Sequence, residues 1–267
     1  MTEHISRRQF LRWGGGMAMG ATLPGAVPTF AHADPQQLMP GAGLQGVIRH
    51  INTRERKISL TFDDLWSEYY AFRIGREFYR RDIRVTFFPI GRAVAKNLSK
   101  PNPGYEGLYL RLRDMGHEFG CHLHTHRDIS EFDLQQLIDE ELEPSLEVLR
   151  IAFGSNFEPL GIRPPFGIIT DPLRELSSRY QMPLIMWGLD SQDAICTKEN
   201  GAEDCEEAIL ANYEGYMRPG TIILHHAIKA SFLAIEAILD FLDDWNMAPI
   251  ALSELFTYVS SAESDSG

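Results

Sequence analysis

The sequence lacks several features that would place it in a special class of protein. It has no apolar run of membrane-spanning length and no excess of basic residues, its formal net charge being −12. The first absence predicts a soluble folded part, and the second argues against general electrostatic binding of nucleic acid. No composition break or internal repeat divides its 267 residues, 44% of which are hydrophobic and 23% charged. These properties indicate an ordinary globular chain with one large domain.

Cysteine is also scarce, with only three residues in the chain. Cys196 and Cys205 flank the polar loop "TKENGAED" and form the plausible disulfide pair, although the sequence alone leaves that bridge open. Cys121 follows Gly120 in an apolar run and is predicted to be a buried thiol.

The amino-terminal residues carry the pattern of an export signal. Arg7 and Arg8 precede a mild, glycine-rich apolar stretch that ends in the small-residue cleavage pattern Ala31-His32-Ala33. The segment "SRRQFL" resembles the twin-arginine signal, which is recognised by the twin-arginine export machinery. We predict a signal peptide at 1–33, cleavage near Ala33, and a periplasmic or extracellular mature protein. No cysteine stands at the cleavage point, so no stable membrane anchor is expected. Residues 34–46 are predicted to be a linker, and 259–267 a disordered tail.

Short apolar runs alternate with longer amphipathic stretches between these ends. Strands are predicted at 57–62, 84–90, 118–122, 160–163, 183–189, 221–225 and 248–252. Asp133, and either Thr170 or Asp171, are predicted to cap helices. Strands that alternate with helices indicate parallel pairing with right-handed crossovers. Seven such units would form either a closed barrel or an open doubly wound sheet.

The chemically distinctive residues fall where these predicted strands end. In parallel α/β folds, functional groups collect at the carboxyl ends of the strands. The residues found there are Asp63, Asp64, His122, His126, Arg163, Asp190, Asp193, His225 and His226. Each signal is weak alone, since a single histidine or aspartate pair is more often structural. Their coincidence at one edge of the fold predicts a site.

The residue types indicate metal-assisted hydrolysis of an amide or an ester. One carboxylate and two imidazoles suit zinc or a related divalent metal, with a position left open for water and substrate. A second carboxylate can act as base and another histidine as acid. Arg163 is predicted to hold one carboxylate ionised through a bidentate contact.

Five motifs in order resemble the polysaccharide deacetylases of the NodB-homology type, carbohydrate esterase family 4. The segments that carry the resemblance are "ISLTFDD", "GHEFGCHLHTH", "RPPFG", "WGLDSQD" and "IILHH", together with the strand "RVTFFPIG". The resemblance covers about residues 45–258 and implies a distorted (β/α)7 barrel, with a deacetylase domain at 47–258. It implies an enzyme that removes acetyl groups from N-acetylated polysaccharide, either peptidoglycan or a chitin-like chain.

The resemblance also implies a role for each motif residue. Asp64, His122 and His126 would bind the metal, which is Zn²⁺ or another divalent ion such as Co²⁺ or Ni²⁺. Asp63 would be the base that activates a metal-bound water, and His226 the acid that protonates the leaving amine. Arg163 would orient Asp63, and Asp193 would orient His226. The residues implied to contact the substrate are Trp66, Pro165, Phe166 and Leu224.

This chain departs from the usual family motifs at three places. Leu65-Trp66 stands where a small turn is usual, Leu123 where serine or threonine is usual, and Ala194 where a tryptophan usually walls the acetyl pocket. Two interpretations follow: Trp66 replaces the missing wall, or the pocket takes a larger acyl group. Two other functions stay open, an O-acetyl esterase acting on xylan or another glycan and a catalytically weak carbohydrate-binding protein of the cell envelope.

Other residues near the motifs are interpreted as structural. His117 is assigned to a turn, His124 is predicted to point away from the ligands, and His225 is predicted to face the opposite side of its strand from His226. Two residues stay undecided. Asp190 is either a loop cap or a partner of the site, and Trp187 belongs either to the core or to the site.

Overall fold

The computed structural model describes residues 46–258. The predicted signal peptide, the linker up to residue 45, the cleavage site and the tail at 259–267 lie outside the described residues, so the structure does not test them. Among the described residues, no helix combines the length and the apolar character needed to cross a membrane.

The described residues form short strands that alternate with helices. The strands are β1 (Val47–Ile48), β2 (Lys57–Asp64), β3 (Thr86–Pro89), β4 (Glu118–Phe119), β5 (Leu184–Ile185), β6 (Leu189–Asp190), β7 (Ile222–His226) and β8 (Ala248–Pro249). Every pair of these strands is parallel. This arrangement confirms the parallel α/β architecture that the alternating pattern predicts.

The longest strand, β2, lies at the centre of the main sheet. The sheet has the order β4-β3-β2-β7-β6, and β8 pairs with the first residues of β2. β1 and β5 form a separate pair, and single bridges from Cys121 to Ile162 and from Ile162 to Leu184 link β5 towards β4. The strands therefore follow a barrel-like path that continuous hydrogen-bonded ladders do not close. The carboxyl ends of β2, β3 and β7 lie side by side.

Several predicted strands are longer than those observed. The predicted strand 160–163 is reduced to the bridge at Ile162, because Pro164 and Pro165 follow and have no amide hydrogen to continue a ladder. The predicted strand 183–189 divides in two, because its backbone changes neighbours. Met186 donates to Ile48, whereas Gly188 donates to Ile222. The predicted strand 248–252 ends at Pro249, and a helix begins at Leu252.

Helices connect the strands and cover the sheet. They are α1 (Glu68–Tyr79), α2 (Gly91–Ser99), α3 (Leu108–Asp114), α4 (Leu134–Gln136), α5 (Glu143–Phe153), α6 (Asp171–Tyr180), α7 (Asp193–Asn200), α8 (Glu206–Tyr216), α9 (Lys229–Leu233), α10 (Ile235–Asp244) and α11 (Leu252–Phe256). A π-helical segment, Leu137–Leu142, joins α4 to α5. Asp133 and Thr170 cap helices as predicted, whereas Asp171 is the first residue inside α6.

The alternation of side chains along β2 separates the apolar core from the polar residues. Ile58, Leu60 and Phe62 pack into the large core between the sheet and the helices. Thr61 and Asp63 face the other way and are also buried, with 0% and 2% of their surface exposed. A strand that is covered on both faces buries its polar residues too, so these residues require polar partners inside the protein.

The structure pairs Cys196 with Cys205 in a disulfide, as proposed from the sequence, and Cys121 is a buried free thiol. The bridge closes a short loop between α7 and α8, with a sequence separation of nine residues. Cross-linking restricts the unfolded chain, and the restriction grows slowly with loop length.

Replacing both Cys196 and Cys205 with serine is therefore expected to lower the free energy of unfolding by about 2–3 kcal/mol, the amount typical of a loop of this length. Denaturant titration of the variant and the wild type measures the difference. Wild-type protein under a thiol reductant should match the variant. A loss below about 0.5 kcal/mol would contradict the expectation.

Candidate active site

The predicted site residues meet at the carboxyl end of the central strands. Asp63 and Asp64 end β2, and in the register of β2 with β7, Asp63 lies directly opposite His226. His122 and His126 lie in the turn after β4, and Asp193 begins α7. The parallel topology thus brings together residues that are up to 163 positions apart in sequence, from Asp63 to His226.

Asp64, His122 and His126 form a cluster with the composition of a metal site. One ligand atom from each residue lies within 4.8 Å of the others. Asp64 Oδ1 is 3.4 Å from His122 Nε2 and 3.3 Å from His126 Nε2. The three atoms converge on one point, and a carboxylate with two imidazoles is a donor set suited to zinc and related divalent metals.

Two further observations support a cation at this point. Asp64 Oδ1 is buried and has no hydrogen-bond partner, which is costly for an ionised oxygen. His122 Nδ1 lies 2.7 Å from the carbonyl oxygen of Arg163. Because a carbonyl only accepts, Nδ1 carries a proton, so in the neutral imidazole that binds a metal the lone pair lies on Nε2, the nitrogen nearest Asp64. The residues present therefore fit a divalent metal.

The charges in the cluster favour an ionised Asp64 and a neutral His126. Burial acts to raise the pKa of Asp64, but the nearby His122 imidazole, with those of His226 and His126, lowers it overall. Burial and the neighbouring His122 lower the pKa of His126. An ionised carboxylate and a neutral imidazole are the forms that bind metals.

The backbone around the cluster adopts the left-handed conformation at several non-glycine residues. Asp64 and Leu65 have φ of 73° and 60°, Leu123 and His126 have 57° and 61°, and Phe166 has 55°. Such conformations cost free energy and occur where surrounding contacts impose them, often at functional sites. At Leu65, the side chain is 1% exposed and packs into the large core, so its burial offsets the cost of a turn without glycine.

Asp63 is held by a buried arginine. Arg163 Nη1 donates to Asp63 Oδ1 at 2.7 Å and to Thr61 Oγ1 at 2.8 Å. Its Nε and Nη2 donate to the carbonyl oxygens of Ile185 and Met186. The prediction of a bidentate contact between Arg163 and a carboxylate is therefore wrong. One guanidinium nitrogen binds the carboxylate, because the other two donate to backbone carbonyl groups.

This arrangement leaves the second oxygen of Asp63 directed towards the cluster formed by Asp64, His122 and His126. Asp63 Oδ2 lies 3.7 Å from His122 Nε2. The Arg163 side chain is fully buried, and its guanidinium lies 4.0 Å from the centre of the Phe88 ring. A fixed guanidinium on one side of the carboxylate gives Asp63 a single orientation.

Asp193 and His226 form a second buried pair. Asp193 Oδ1 lies 2.8 Å from His226 Nδ1, and Oδ2 accepts from the backbone N–H of His226 at 2.7 Å and from the Ser231 hydroxyl. Burial acts to raise the pKa of Asp193, but His226 lowers it to about 2. Burial acts to lower the pKa of His226, but the Asp193 hydrogen bond and charge raise it to about 9. His226 is therefore an imidazolium at neutral pH, with Nε2 free to reach a substrate.

His225 and His117 make structural contacts, as interpreted from the sequence. His225 is buried behind the site, where it stacks on Phe62 and hydrogen-bonds the Tyr213 hydroxyl at 2.7 Å. Burial lowers the pKa of His225 to about 4, so this imidazole is neutral. His117 binds the carbonyl of Gly75 and the N–H of Val85 through its two ring nitrogens.

The structure also places the residues left undecided. Asp190 accepts from the N–H of Gln192 at 2.7 Å, which makes it a loop cap. Trp187 is half-buried and lies beside Gly167, 5.9 Å from the Arg163 guanidinium, at the edge of the site. His124 is half-buried, and its backbone N–H donates to Glu141.

The four residues implied to contact substrate differ in exposure. Phe166 is 64% exposed, and its ring lies 4.5 Å from that of His126. Trp66 is 45% exposed in the turn after β2, whereas Pro165 and Leu224 are buried. Phe166 therefore offers aromatic surface beside His126, and Trp66 offers an exposed ring in the turn that follows Asp64. A substrate-binding role for the four stays a prediction.

Comparison with known proteins decides the family. A family model described as "Polysaccharide deacetylase" matches residues 50–185, half of the chain. The chain belongs to the polysaccharide deacetylase family. A second model, for the twin-arginine translocation signal, matches residues 4–24 and confirms that the chain carries an export signal.

Two curated relatives show the range of substrates named for similar proteins. Peptidoglycan-N-acetylglucosamine deacetylase PgdA of Listeria monocytogenes is 24% identical over 75% of this chain and 39% of its own length. A chitooligosaccharide deacetylase of Bradyrhizobium is 28% identical over 64% of this chain and 70% of its own. The chain thus spans about two fifths of the length of the Listeria relative.

A solved structure shares the fold of this deacetylase-family chain. BA3943 of Bacillus anthracis, described as a CE4 family pseudoenzyme, matches with a TM-score of 0.67 and 23% identity, covering 79% of this chain and 68% of that one. This likeness confirms the NodB-type barrel predicted from the motifs. Because that protein is called a pseudoenzyme, the fold alone does not determine activity, which depends on the side chains at the site.

Sequence reasoning missed three residues that support the site. Thr61 accepts from Arg163, Ser231 donates to Asp193, and Glu141 binds the turn that carries His122 and His126. A signal existed for Glu141, since it occupies a core-facing position of an amphipathic helix, where a carboxylate needs a buried partner. Thr61 and Ser231 gave no signal, because buried hydroxyls are common in strands and helices.

Proposed function

We propose that this chain is a metal-dependent deacetylase that hydrolyses the acetamido groups of an N-acetylated polysaccharide. One observation carries the proposal: an oriented carboxylate, Asp63, and a charged imidazole, His226, lie opposite each other on adjacent strands beside a three-residue metal cluster. Base, acid and electrophile are the three functions that amide hydrolysis requires.

We assign Asp63 as the base. Arg163 occupies Oδ1, so Oδ2 is the oxygen available to take a proton from the attacking water. The salt bridge joins Oδ1 to a fully buried guanidinium nitrogen at 2.7 Å. The same contact prevents rotation of the side chain, so Oδ2 stays turned to the place where water and substrate meet.

We assign His226 as the acid. Its Nδ1–H donates to Asp193, which leaves Nε2–H as the proton that can pass to the leaving nitrogen. An amine leaves poorly unless it is protonated, so an imidazolium held beside the scissile bond lowers the barrier. The raised pKa of about 9 keeps this proton in place at neutral pH.

We assign Asp64, His122 and His126 as the metal ligands, with Zn²⁺ as the expected ion and Co²⁺ or Ni²⁺ as substitutes. A divalent metal there would polarise the acetyl carbonyl and acidify a water molecule. The hydrogen bond from His122 Nδ1 to the Arg163 carbonyl links the ligand set to the residue that orients the base.

The substrate class rests on the relatives and on export. Curated relatives are named for deacetylation of peptidoglycan and chitooligosaccharides. A chain with a twin-arginine signal is delivered outside the cytoplasm, where such polymers lie. Exposed aromatic side chains at Trp66 and Phe166 offer faces on which sugar rings can pack.

Acetate release tests the proposal. The purified protein, reloaded with Zn²⁺, should release acetate from peptidoglycan or chitooligosaccharides, and a chelator should abolish the release reversibly. Acetylxylan is the comparison substrate, because an O-acetyl esterase would prefer it. Failure of stoichiometrically metal-loaded protein to release acetate from all three would contradict the proposal and favour the carbohydrate-binding alternative.

A further inference from the structure

The turn that carries two of the three metal ligands has an unusual backbone. His122 and His126 are separated by three residues, and both Leu123 and His126 have positive φ, at 57° and 61°. Neither is glycine, so contacts from outside the turn must impose this conformation. The turn also determines where His126 Nε2 meets Asp64, because His126 is its last residue.

The carbonyl groups of this turn are bound by two elements. Leu123 O accepts from the N–H of Gly91 at 2.8 Å and from the Ser145 hydroxyl at 3.2 Å, and His124 O accepts from the N–H of Arg92 at 3.0 Å. Gly91 is required at this contact, since a Cβ there would lie 2.4 Å from His124 Nδ1.

The amide groups of the turn are bound by one side chain, Glu141. Its Oε2 accepts from the N–H of His124 at 3.0 Å and from the N–H of Thr125 at 2.9 Å. Its Oε1 accepts from the Thr125 hydroxyl and from Arg127 Nε and Nη2 at 3.3 and 3.2 Å. The Glu141 side chain is fully buried. Charged acceptors make strong hydrogen bonds, and a buried one with five donors is held in a single place.

Glu141 stands at a local change in helix geometry. It lies in the π-helical segment Leu137–Leu142 between α4 and α5. The buried residues of this segment are Leu137, Ile138, Glu141 and Leu142, so the carboxylate stands on the apolar face. π-Helical turns insert one extra residue and are frequent at functional sites. Ser145, in the next turn of the helix, donates to Leu123 O in the turn between His122 and His126.

We propose that Glu141 is a positioning residue for the metal site: it holds the turn between His122 and His126 in the conformation that directs both imidazoles at Asp64. Its carboxylate fixes the two consecutive amides at the centre of the turn, where Leu123 offers no hydroxyl to do so. The inference rests on the proposed function for its link to catalysis, but the metal affinity it predicts needs no substrate.

Glu141→Gln tests this inference, with zinc affinity measured by competition against a chromophoric chelator. The variant keeps the shape of the side chain but removes its charge and turns an amide group towards Thr125 or Arg127. We expect zinc to bind about 10-fold more weakly, within the range of 10- to 100-fold typical of groups that orient ligands. The control is Glu143→Gln, an exposed carboxylate on the same helix that bonds Tyr180, and its affinity should equal that of the wild type.

A purely structural role gives a different result. It would lower the melting temperature of the metal-free variant and leave the zinc affinity of the folded protein unchanged. If Glu141→Gln does not fold, Thr125→Val removes the Thr125 hydroxyl, with its contacts to Glu141 and to Arg127 Nε, and should weaken zinc binding by a few-fold. The inference would be overturned if the variant that folds, whether Glu141→Gln or Thr125→Val, bound zinc with the affinity of the wild type. If wild-type protein binds zinc but releases no acetate, the proposed function fails, and the comparison of affinities still decides the role of Glu141.

Discussion

Asp63→Asn is expected to lower kcat for acetate release by about 10³-fold, within the range of 10²–10⁴ typical of losing a general base. Asparagine is nearly the same size and can still accept a hydrogen bond from Arg163 Nη1, so the geometry should persist. The amide cannot take a proton at neutral pH. The loss should therefore appear in kcat, with little change in KM or in the thermal unfolding temperature.

The neighbouring aspartate supplies the matched control for this experiment. Asp64 Oδ1 is the carboxylate oxygen in the metal cluster, whereas Asp63 Oδ1 is bound to Arg163. Asp63→Asn should retain the zinc content and zinc affinity of the wild type, and Asp64→Asn should lose most of that affinity. Equal zinc affinity in the two variants, or wild-type kcat in Asp63→Asn, would show that the roles of the two carboxylates are wrongly divided.

The positions of these two aspartates were predictable because strand periodicity is simple. Alternation along β2 places Asp63 on the polar side with Thr61 and leaves Asp64 at the entrance of the loop. Parallel topology then predicts that the carboxyl ends of β2 and β7 lie side by side, and the register of Asp63 with His226 agrees with this. Such inferences succeed because they use only the side-chain period and the direction of the chain.

Strand lengths and turn conformations were less predictable because they depend on tertiary contacts. The segment 183–189 has the composition of one strand, but the change of partner from Ile48 to Ile222 divides it. Leu65 and Leu123 adopt left-handed conformations that sequence patterns assign to glycine or asparagine. Both side chains are buried in the large core, so packing compensates for the local cost.

The hydrogen-bond partners of buried charged groups could not be predicted from the sequence either. The identity of Arg163 predicted a contact with a carboxylate, but not that the carbonyl groups of Ile185 and Met186 would take its other donors. A guanidinium has five N–H groups, and burial requires that nearly all of them be satisfied. The backbone supplies most partners inside a protein, and its positions are set by the whole fold.

The departures at Leu65-Trp66 now have separate explanations. Leu65 belongs to the core, 1% exposed, and supports the turn that directs Asp64 to the histidines. Trp66 is nearly half exposed in the turn after β2. Leu65 thus bears on the position of Asp64, and Trp66 leaves an exposed ring for the predicted contact with substrate.

Asp193→Asn is expected to lower kcat at neutral pH by about 10²-fold and to move the alkaline limit of activity to lower pH. Asp193 is the main cause of the raised pKa of His226, about 9 against the usual 6.5. An acid must be protonated, so activity is lost as pH rises through the pKa of His226. A divalent metal offsets the smaller contributions of Asp63 and Asp64, so the wild-type limit should lie above 6.5 and no higher than about 9.

In the variant, the contributions of Asp193 are lost while burial still lowers the pKa of His226, so the alkaline limit should fall below that of the wild type. The pH dependence of kcat measures the shift. Asp190→Asn is the control, because it removes a charge from the same loop while an asparagine oxygen can still accept from Gln192. Its alkaline limit should move much less. An unchanged limit in Asp193→Asn would mean that the proton lost at high pH is not carried by His226, and the assignment of the acid would have to move to another group.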